Sequence, residues 1–168
     1  EMNFVFNDTI NVFSPKPGEK ISGNEFGVSW EEVEGAAYYT VQVVIFSNPH
    51  EYDGNSITTP ISDKKGATKF TENHAEFDIS RMNEKLTGMS YAGEEEILGY
   101  EGVLGIFLPG IEYPITVKAC DEDGKAITGS LPMLTYYKLV PSITAEGSIK
   151  EGQALILSSN YPEAIKYY

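Results

Sequence analysis

The 168-residue chain is acidic, with 25 Asp and Glu against 12 Lys and Arg and a formal net charge of −13. This charge repels phosphate groups, so we expect neither nucleic acid nor an anionic membrane surface as a partner. The single cysteine, Cys120, excludes an intramolecular disulfide, and no apolar run is long enough for direct membrane insertion. The many Tyr, Phe, Gly and Pro residues favour β-strands joined by turns.

Alternating apolar residues predict the first strands. One is expected within residues 3–13, before the proline-rich turn of residues 14–18. A second strand covers residues 26–30, with its apolar side chains on one face at period two. The strongest alternation, at residues 39–46, predicts a third strand. The side chains of this third strand that we expect to face the core are Tyr39, Val41, Val43 and Ile45.

The middle of the chain alternates less regularly. Residues 47–69 carry turn chemistry, with a short edge strand expected around residues 56–58. Residues 75–79 alternate again and predict another strand. Residues 80–107 are too long for one connection between strands of a compact sandwich, so we interpret them as a loop insertion.

The next predicted strand spans residues 113–119, and it contains Pro114, which lacks the N–H that an interior strand needs. Residues 121–124 (Asp-Glu-Asp-Gly) predict a hairpin turn, with a return strand from residue 126 to about residue 140. Strands that follow one another across turns, without alternating long helices, predict an all-β antiparallel sandwich.

Beyond Pro141 the pattern changes to helical spacing, which runs from residue 149 to residue 168. Asn160, followed by Pro162 and Glu163, suits the start of a short C-terminal helix. We therefore predict a β domain at residues 1–141 and a helical tail at residues 142–168.

Three segments in this order resemble a fibronectin type III or immunoglobulin-like domain. Trp30 lies in the second strand, residues 39–43 (Tyr-x-Val-x-Val) form the third, and residues 108–119 are similar to that family's Leu-x-Pro-Gly-x-x-Tyr stretch, shortened by one residue. The resemblance implies a β-sandwich with a buried tryptophan. It also implies that the hydroxyl of Tyr113 reaches the backbone near the Pro-Gly corner. Residues 14–18 (Ser-Pro-Lys-Pro-Gly), followed by residues 29–36 (Ser-Trp-x-x-Val-x-Gly-Ala), are also similar to modules that are repeated in bacterial surface proteins.

The tail is similar to part of a tetratricopeptide repeat. The small and aromatic positions of such a helix pair match residues 152–155 (Gly-x-Ala-Leu) and residues 161–168 (Tyr-x-Glu-Ala-Ile-x-x-Tyr). One half-repeat cannot bury its apolar face alone. Either the natural chain continues into a helical repeat array, or the segment is a single terminal helix.

Two groups of residues are candidate binding sites. Tyr91, Tyr100 and Met89, within the insertion, are candidate contacts for a protein partner or a glycan. The alternative is that they cover an exposed edge of the sandwich. Asp121 and Asp123 are candidate calcium ligands, although a hairpin turn already explains them and the spacing of an EF-hand is missing. We expect no other metal site and no cofactor.

The sequence gives no sign of a reaction centre. The glutamates of residues 94–96, with Glu101, would support glycoside hydrolysis only if two carboxylates converged across a sugar cleft. We therefore predict a non-catalytic interaction or spacer module of an extracytoplasmic multidomain bacterial protein, whether secreted, displayed on the surface or lipid-anchored. It would contact a protein partner or position neighbouring domains. The alternatives are a carbohydrate-binding module and a hydrolase.

Overall fold

The computed structural model describes residues 9–46, 56–60, 68–78, 107–130, 141–158 and 160–168. Within these ranges the chain forms strands β1 (Val12–Ser14), β2 (Glu19–Ile21), β3 (Glu25–Trp30), β4 (Tyr38–Phe46), β5 (Ser56–Pro60), β6 (His74–Asp78), β7 (Glu112–Cys120), β8 (Ala126–Gly129) and β9 (Ser142–Ala145). Two short helices follow, α1 (Glu151–Leu157) and α2 (Tyr161–Ala164), with a 3₁₀ turn at Ile165–Tyr167. The predominance of strands confirms the all-β prediction.

The strands form two sheets. The smaller has the order β1-β3-β6, and the larger has the order β2-β9-β7-β4-β5, with β8 also paired to β7. Residues 112–114 of β7 pair with β9, and residues 118–120 pair with β8, while β4 pairs with residues 115–120. The pairing of β2 with β9 is parallel, and the other pairings are antiparallel.

The predicted period-two faces of β3 and β4 are buried. Phe26, Val28 and Trp30 are buried along β3, as expected, and the side chain of Trp30 is 0% exposed. From β4, Tyr39 places its ring 5.3 Å from that of Trp30. Val41 and Val43 are also buried along β4, as is Thr40, while nothing is described of the side chain of Ile45. The burial of these alternating side chains brings the two sheets around one core.

The corner before β7 is fixed by a tyrosine. Tyr113 is fully buried, and its hydroxyl oxygen accepts a hydrogen bond from the backbone N–H of Leu108 at 3.1 Å. The turn between them has Gly110 at φ +79°, which favours glycine. This geometry confirms that the hydroxyl of Tyr113 reaches the backbone near the corner.

Pro114 does not interrupt a ladder. The N–H of Ile115 donates to Pro141 on the β9 side, so the nitrogen of Pro114 points to the opposite, β4 side. The register between β4 and β7 ends at the Val43–Ile115 pair, one residue short of the proline. The position where Pro114 lacks its N–H therefore faces the β4 side beyond the last pair of that register, so no β4–β7 hydrogen bond of the register is lost.

The sheet continues past residue 141, where the helical tail was predicted to begin, through β9. Ser142 and Ile143 are both fully buried there. The helical tail begins later, at α1, whose Ile156 and Leu157 belong to the same buried cluster as the sheet residues. Asn160 precedes α2, as predicted. The predicted strand at residues 3–8, residues 80–106 of the insertion and the return strand at residues 131–140 lie outside the described residues.

Candidate functional site

A groove opens where the chain crosses from one sheet to the other. Strand β1 pairs with β3 only at Trp30 and Ser29, and after the prolines that follow Ser14 the chain joins the other sheet as β2. The space left beside β3 has a volume of about 340 Å³, within the ~300–1,000 Å³ range of ligand sites. Its lining residues are Ser14, Pro15, Glu19, Lys20, Ile21, Ser22, Glu25, Phe26, Gly27, Val28, Ser29, His74, Glu76 and Ile143.

Backbone groups face this groove from both sides. The N–H of Trp30 donates to Asn73 on the β6 side, so by alternation the N–H and C=O of Gly27 point away from β6. Similarly, Ile21 accepts a hydrogen bond from Glu146 on the β9 side, so the backbone of Lys20 points away from β9. Within the described part of the chain, neither Gly27 nor Lys20 has a hydrogen-bond partner there.

Carboxylates dominate the polar rim of the groove. The lining residues include three glutamates and one lysine. The carboxylate of Glu76 lies over Gly27, since a Cβ atom added to that glycine would come within 2.7 Å of Glu76 Oε1. His74, opposite Ser29, has its Nε2 atom 3.4 Å from the carboxylate of Glu72. The rim therefore favours a positively charged ligand.

A buried serine holds the chain in place just before β2. Ser142 Oγ accepts a hydrogen bond from the N–H of Gly18 at 2.8 Å and donates to Glu112 Oε1 at 2.5 Å. These contacts tie the turn before β2 to β7 and β9. They therefore hold β2 against the larger sheet, on the far side of the groove from β3.

The two candidate calcium ligands lie in a tight hairpin. The side-chain Oδ1 of Asp121 accepts a hydrogen bond from the backbone N–H of Lys125 at 2.8 Å. The backbone N–H of Asp121 donates in turn to the carbonyl of Lys125 at 3.0 Å. Gly124 has φ +83°, which completes the predicted turn that includes Asp123. Across the described ranges, no group of three His, Cys, Asp or Glu side chains is placed to hold a metal ion. The structure thus gives Asp121 a turn-forming role.

The remaining residues named in the sequence analysis divide into two sets. Tyr91, Tyr100 and Met89, and the glutamates of residues 94–96, lie outside the described residues. Cys120 is a buried free thiol at the end of β7. The sequence analysis missed the groove itself, although Gly27 within an alternating strand is a signal of close approach at that position.

The tail presents a second exposed surface. Tyr161, Ile165 and Tyr168 are 48%, 73% and 78% exposed and follow the i, i+4, i+7 spacing of one helical stripe. On the other side, Ala164 is buried. A hydrogen bond to Glu151, with desolvation and the charge of that carboxylate, raises the pKa of Tyr167 above its usual 10.0. No described helix is long and apolar enough to cross a membrane.

Gly152 sets the distance between α1 and the end of the tail. A Cβ atom on Gly152 would lie 2.8 Å from Tyr167 Cβ. In an open helix Gly→Ala stabilises by about 0.5–1 kcal/mol, whereas overpacking costs about 1–3 kcal/mol. We expect Gly152→Ala to lower the free energy of unfolding by about 1 kcal/mol net, measured by urea denaturation. A gain in stability would contradict the close packing.

Comparisons with known proteins give little further information. No protein-family model matches the chain, and no curated protein matches it. Among solved structures, the chain is similar to a β-1,2-glucanase from Parabacteroides distasonis, with a TM-score of 0.35 and 11% sequence identity over 88% of this chain. The match spans 15% of the glucanase chain, and so low a TM-score says nothing about activity.

Proposed function

We propose that this chain is a non-catalytic fibronectin type III or immunoglobulin-like module of an extracytoplasmic bacterial protein, which contacts a partner protein and positions its neighbours. The observation that carries the proposal is the tyrosine corner. Such domains place a tyrosine near the start of the sixth strand, where its hydroxyl bonds to backbone a few residues upstream. Tyr113, at the start of β7, makes that bond to Leu108.

The strand order supports the same assignment. In the immunoglobulin-like arrangement the first, second and fifth strands share one sheet, and the third, sixth and seventh share the other. Here β1, β3 and β6 form one sheet, while β4, β7 and the paired segments β8 and β9 belong to the other. Strand β2 then acts as the continuation of the first strand on the second sheet.

The junction with the tail supports the proposed positioning role. Leu157 of α1 is buried in the same cluster as the sheet residues. The end of β9, which precedes the tail, is held by the N–H of Gly110, which donates to the carbonyl of Ala145 at 3.1 Å. A neighbour joined through such a tail would be held at a fixed angle, unlike one joined through a flexible linker.

Spin labels test this rigid junction. We would label Lys118→Cys on the sheet and Lys166→Cys on the tail in a Cys120→Ala background, and measure the distance by double electron–electron resonance. Both lysines are exposed, and the surface ion pair of Lys166 with Glu163 contributes little. We expect one narrow distance distribution, which Leu157→Ala broadens. A broad distribution in the parent would contradict the positioning role.

A glycan array separates this proposal from carbohydrate binding. We expect no binding to any glycan by the parent protein, and therefore no difference from the Tyr91→Ala/Tyr100→Ala double variant. Binding by the parent that the double variant loses would replace the proposed function with carbohydrate recognition.

A further inference from the structure

We propose that the groove between β2 and β3 binds an extended segment of a partner protein that adds to β3 as an extra strand. The segment would alternate apolar with basic side chains. The inference rests on the proposed function, since it specifies the partner chemistry of an interaction module. It assigns the binding to the edge of β3 and not to the exposed stripe of the tail.

The main chain of β3 provides the first half of the recognition. Strand β1 occupies this edge only beside Trp30 and Ser29, so no described segment pairs with residues 25–28 on that side. Four residues of strand extend about 13 Å at about 3.3 Å each. Gly27 offers both its N–H and its C=O along this length. Strand addition to an exposed edge takes its affinity from such main-chain hydrogen bonds.

The side chains around the groove provide the second half. Alternate residues of an added strand point to opposite faces. One face meets the groove lining, where Ile21 offers a partly exposed apolar side chain. The other face meets the outer surface of the small sheet, where Glu76 covers Gly27. A segment with alternating character satisfies both faces at once.

Charge selects a basic segment. Glu25 stands directly opposite Asp78, and Glu76 is the next outward residue along β6. Both glutamates line the groove. A lysine or arginine side chain on the added strand would lie beside these carboxylates, and the net charge of −13 would attract such a segment from a distance. An acidic segment would meet repulsion from Glu25 and Glu76.

The probe is a synthetic heptapeptide of alternating lysine and valine, titrated into the whole chain and followed by NMR. We expect the backbone amide signals of Gly27 and Lys20 to shift and the amide of Gly27 to become protected from hydrogen exchange. A peptide of the same composition with its valines grouped together should bind at least about ten-fold more weakly, because it loses the alternation. Equal binding of both peptides would overturn the proposal.

Gly27 offers a matched pair of variants. Gly27→Pro and Gly27→Ala both add atoms beneath the carboxylate of Glu76, but only proline removes the N–H that faces the groove. Because this N–H is not bonded to β6, the sheet should tolerate the proline. We expect Gly27→Pro to bind the peptide about ten-fold more weakly than Gly27→Ala, as for the loss of one hydrogen bond. If the proline variant unfolds, hydrogen exchange in the parent protein tests the proposal instead. Protection of the Gly27 amide by the peptide would support it, and no protection would overturn it.

A charge variant and two further observations complete the test. Glu76→Gln should weaken binding of the alternating peptide by about two- to five-fold at low salt. Peptide shifts confined to the stripe of Tyr161, Ile165 and Tyr168 would overturn the proposal. So would dimerisation through β3 without peptide, because a second copy would then be the occupant. The spin-label distances do not depend on the peptide, so failure here is distinguishable from failure of the positioning role.

Discussion

Trp30→Ala is expected to lower the free energy of unfolding by about 3–5 kcal/mol, as for large-to-small substitutions in a packed core. Trp30 is fully buried and contacts the ring of Tyr39, and Phe70 lies 6.3 Å away between ring centroids. Its removal would leave a cavity where the two sheets meet. Urea denaturation followed by circular dichroism measures the change, since the variant has no tryptophan fluorescence.

The matched control for this prediction is Phe13→Ala. Phe13 is an aromatic residue of the same sheet, but its side chain is 57% exposed, so the change should stay within about 0.5 kcal/mol. Comparable losses in both variants would show that the indole is not a centre of the core. They would also remove the basis for a two-sheet sandwich.

Tyr113→Phe is expected to lower the free energy of unfolding by about 1–3 kcal/mol, although it removes only one oxygen atom. The hydroxyl of Tyr113 accepts the N–H of Leu108, and that hydrogen bond is buried. Phenylalanine would leave this buried donor without its acceptor while keeping the ring, so the loss reports on the corner itself. The same urea measurement applies, here with tryptophan fluorescence as a second probe.

For this second prediction the control is Tyr161→Phe. Tyr161 is half exposed on the tail, and loss of its hydroxyl should change stability by no more than about 0.5 kcal/mol. A Tyr113→Phe variant as stable as the control would mean that the corner hydrogen bond contributes nothing. The main support for the fibronectin type III-like assignment would then be gone.

Local periodicity explains why much of the β structure could be predicted from sequence. In β3, β4 and β7, every second residue is buried as one face of the strand, and the apolar residues of that face recur at period two in the sequence. Residues 121–124 carried the hairpin signal, and Ser56–Pro60 forms the predicted edge strand. In each case the pattern that predicts the strand or turn lies within a few consecutive residues.

Strands β2 and β9 were missed for a physical reason. Each has only three or four residues, too few to show a period, and each pairs with strands distant in sequence: β2 pairs with β9, and β9 also pairs with β7. Glu19 pairs with Ile143, a partner more than one hundred residues away, and such pairing leaves no local signal. The groove depends on these two strands, so it could not be predicted either. The same pairing explains why the sheet runs past the predicted boundary after residue 141.

Amide hydrogen exchange by NMR at two neighbouring residues of β3 tests the central claim that this strand keeps one edge free. The N–H of Val28 faces β6, and the N–H of Gly27 faces the groove. The account predicts that Gly27 exchanges at least about 100-fold faster than Val28, because local opening is not needed to reach it. Equal protection of the two amides would contradict the account, since it would mean that another segment already pairs with this edge.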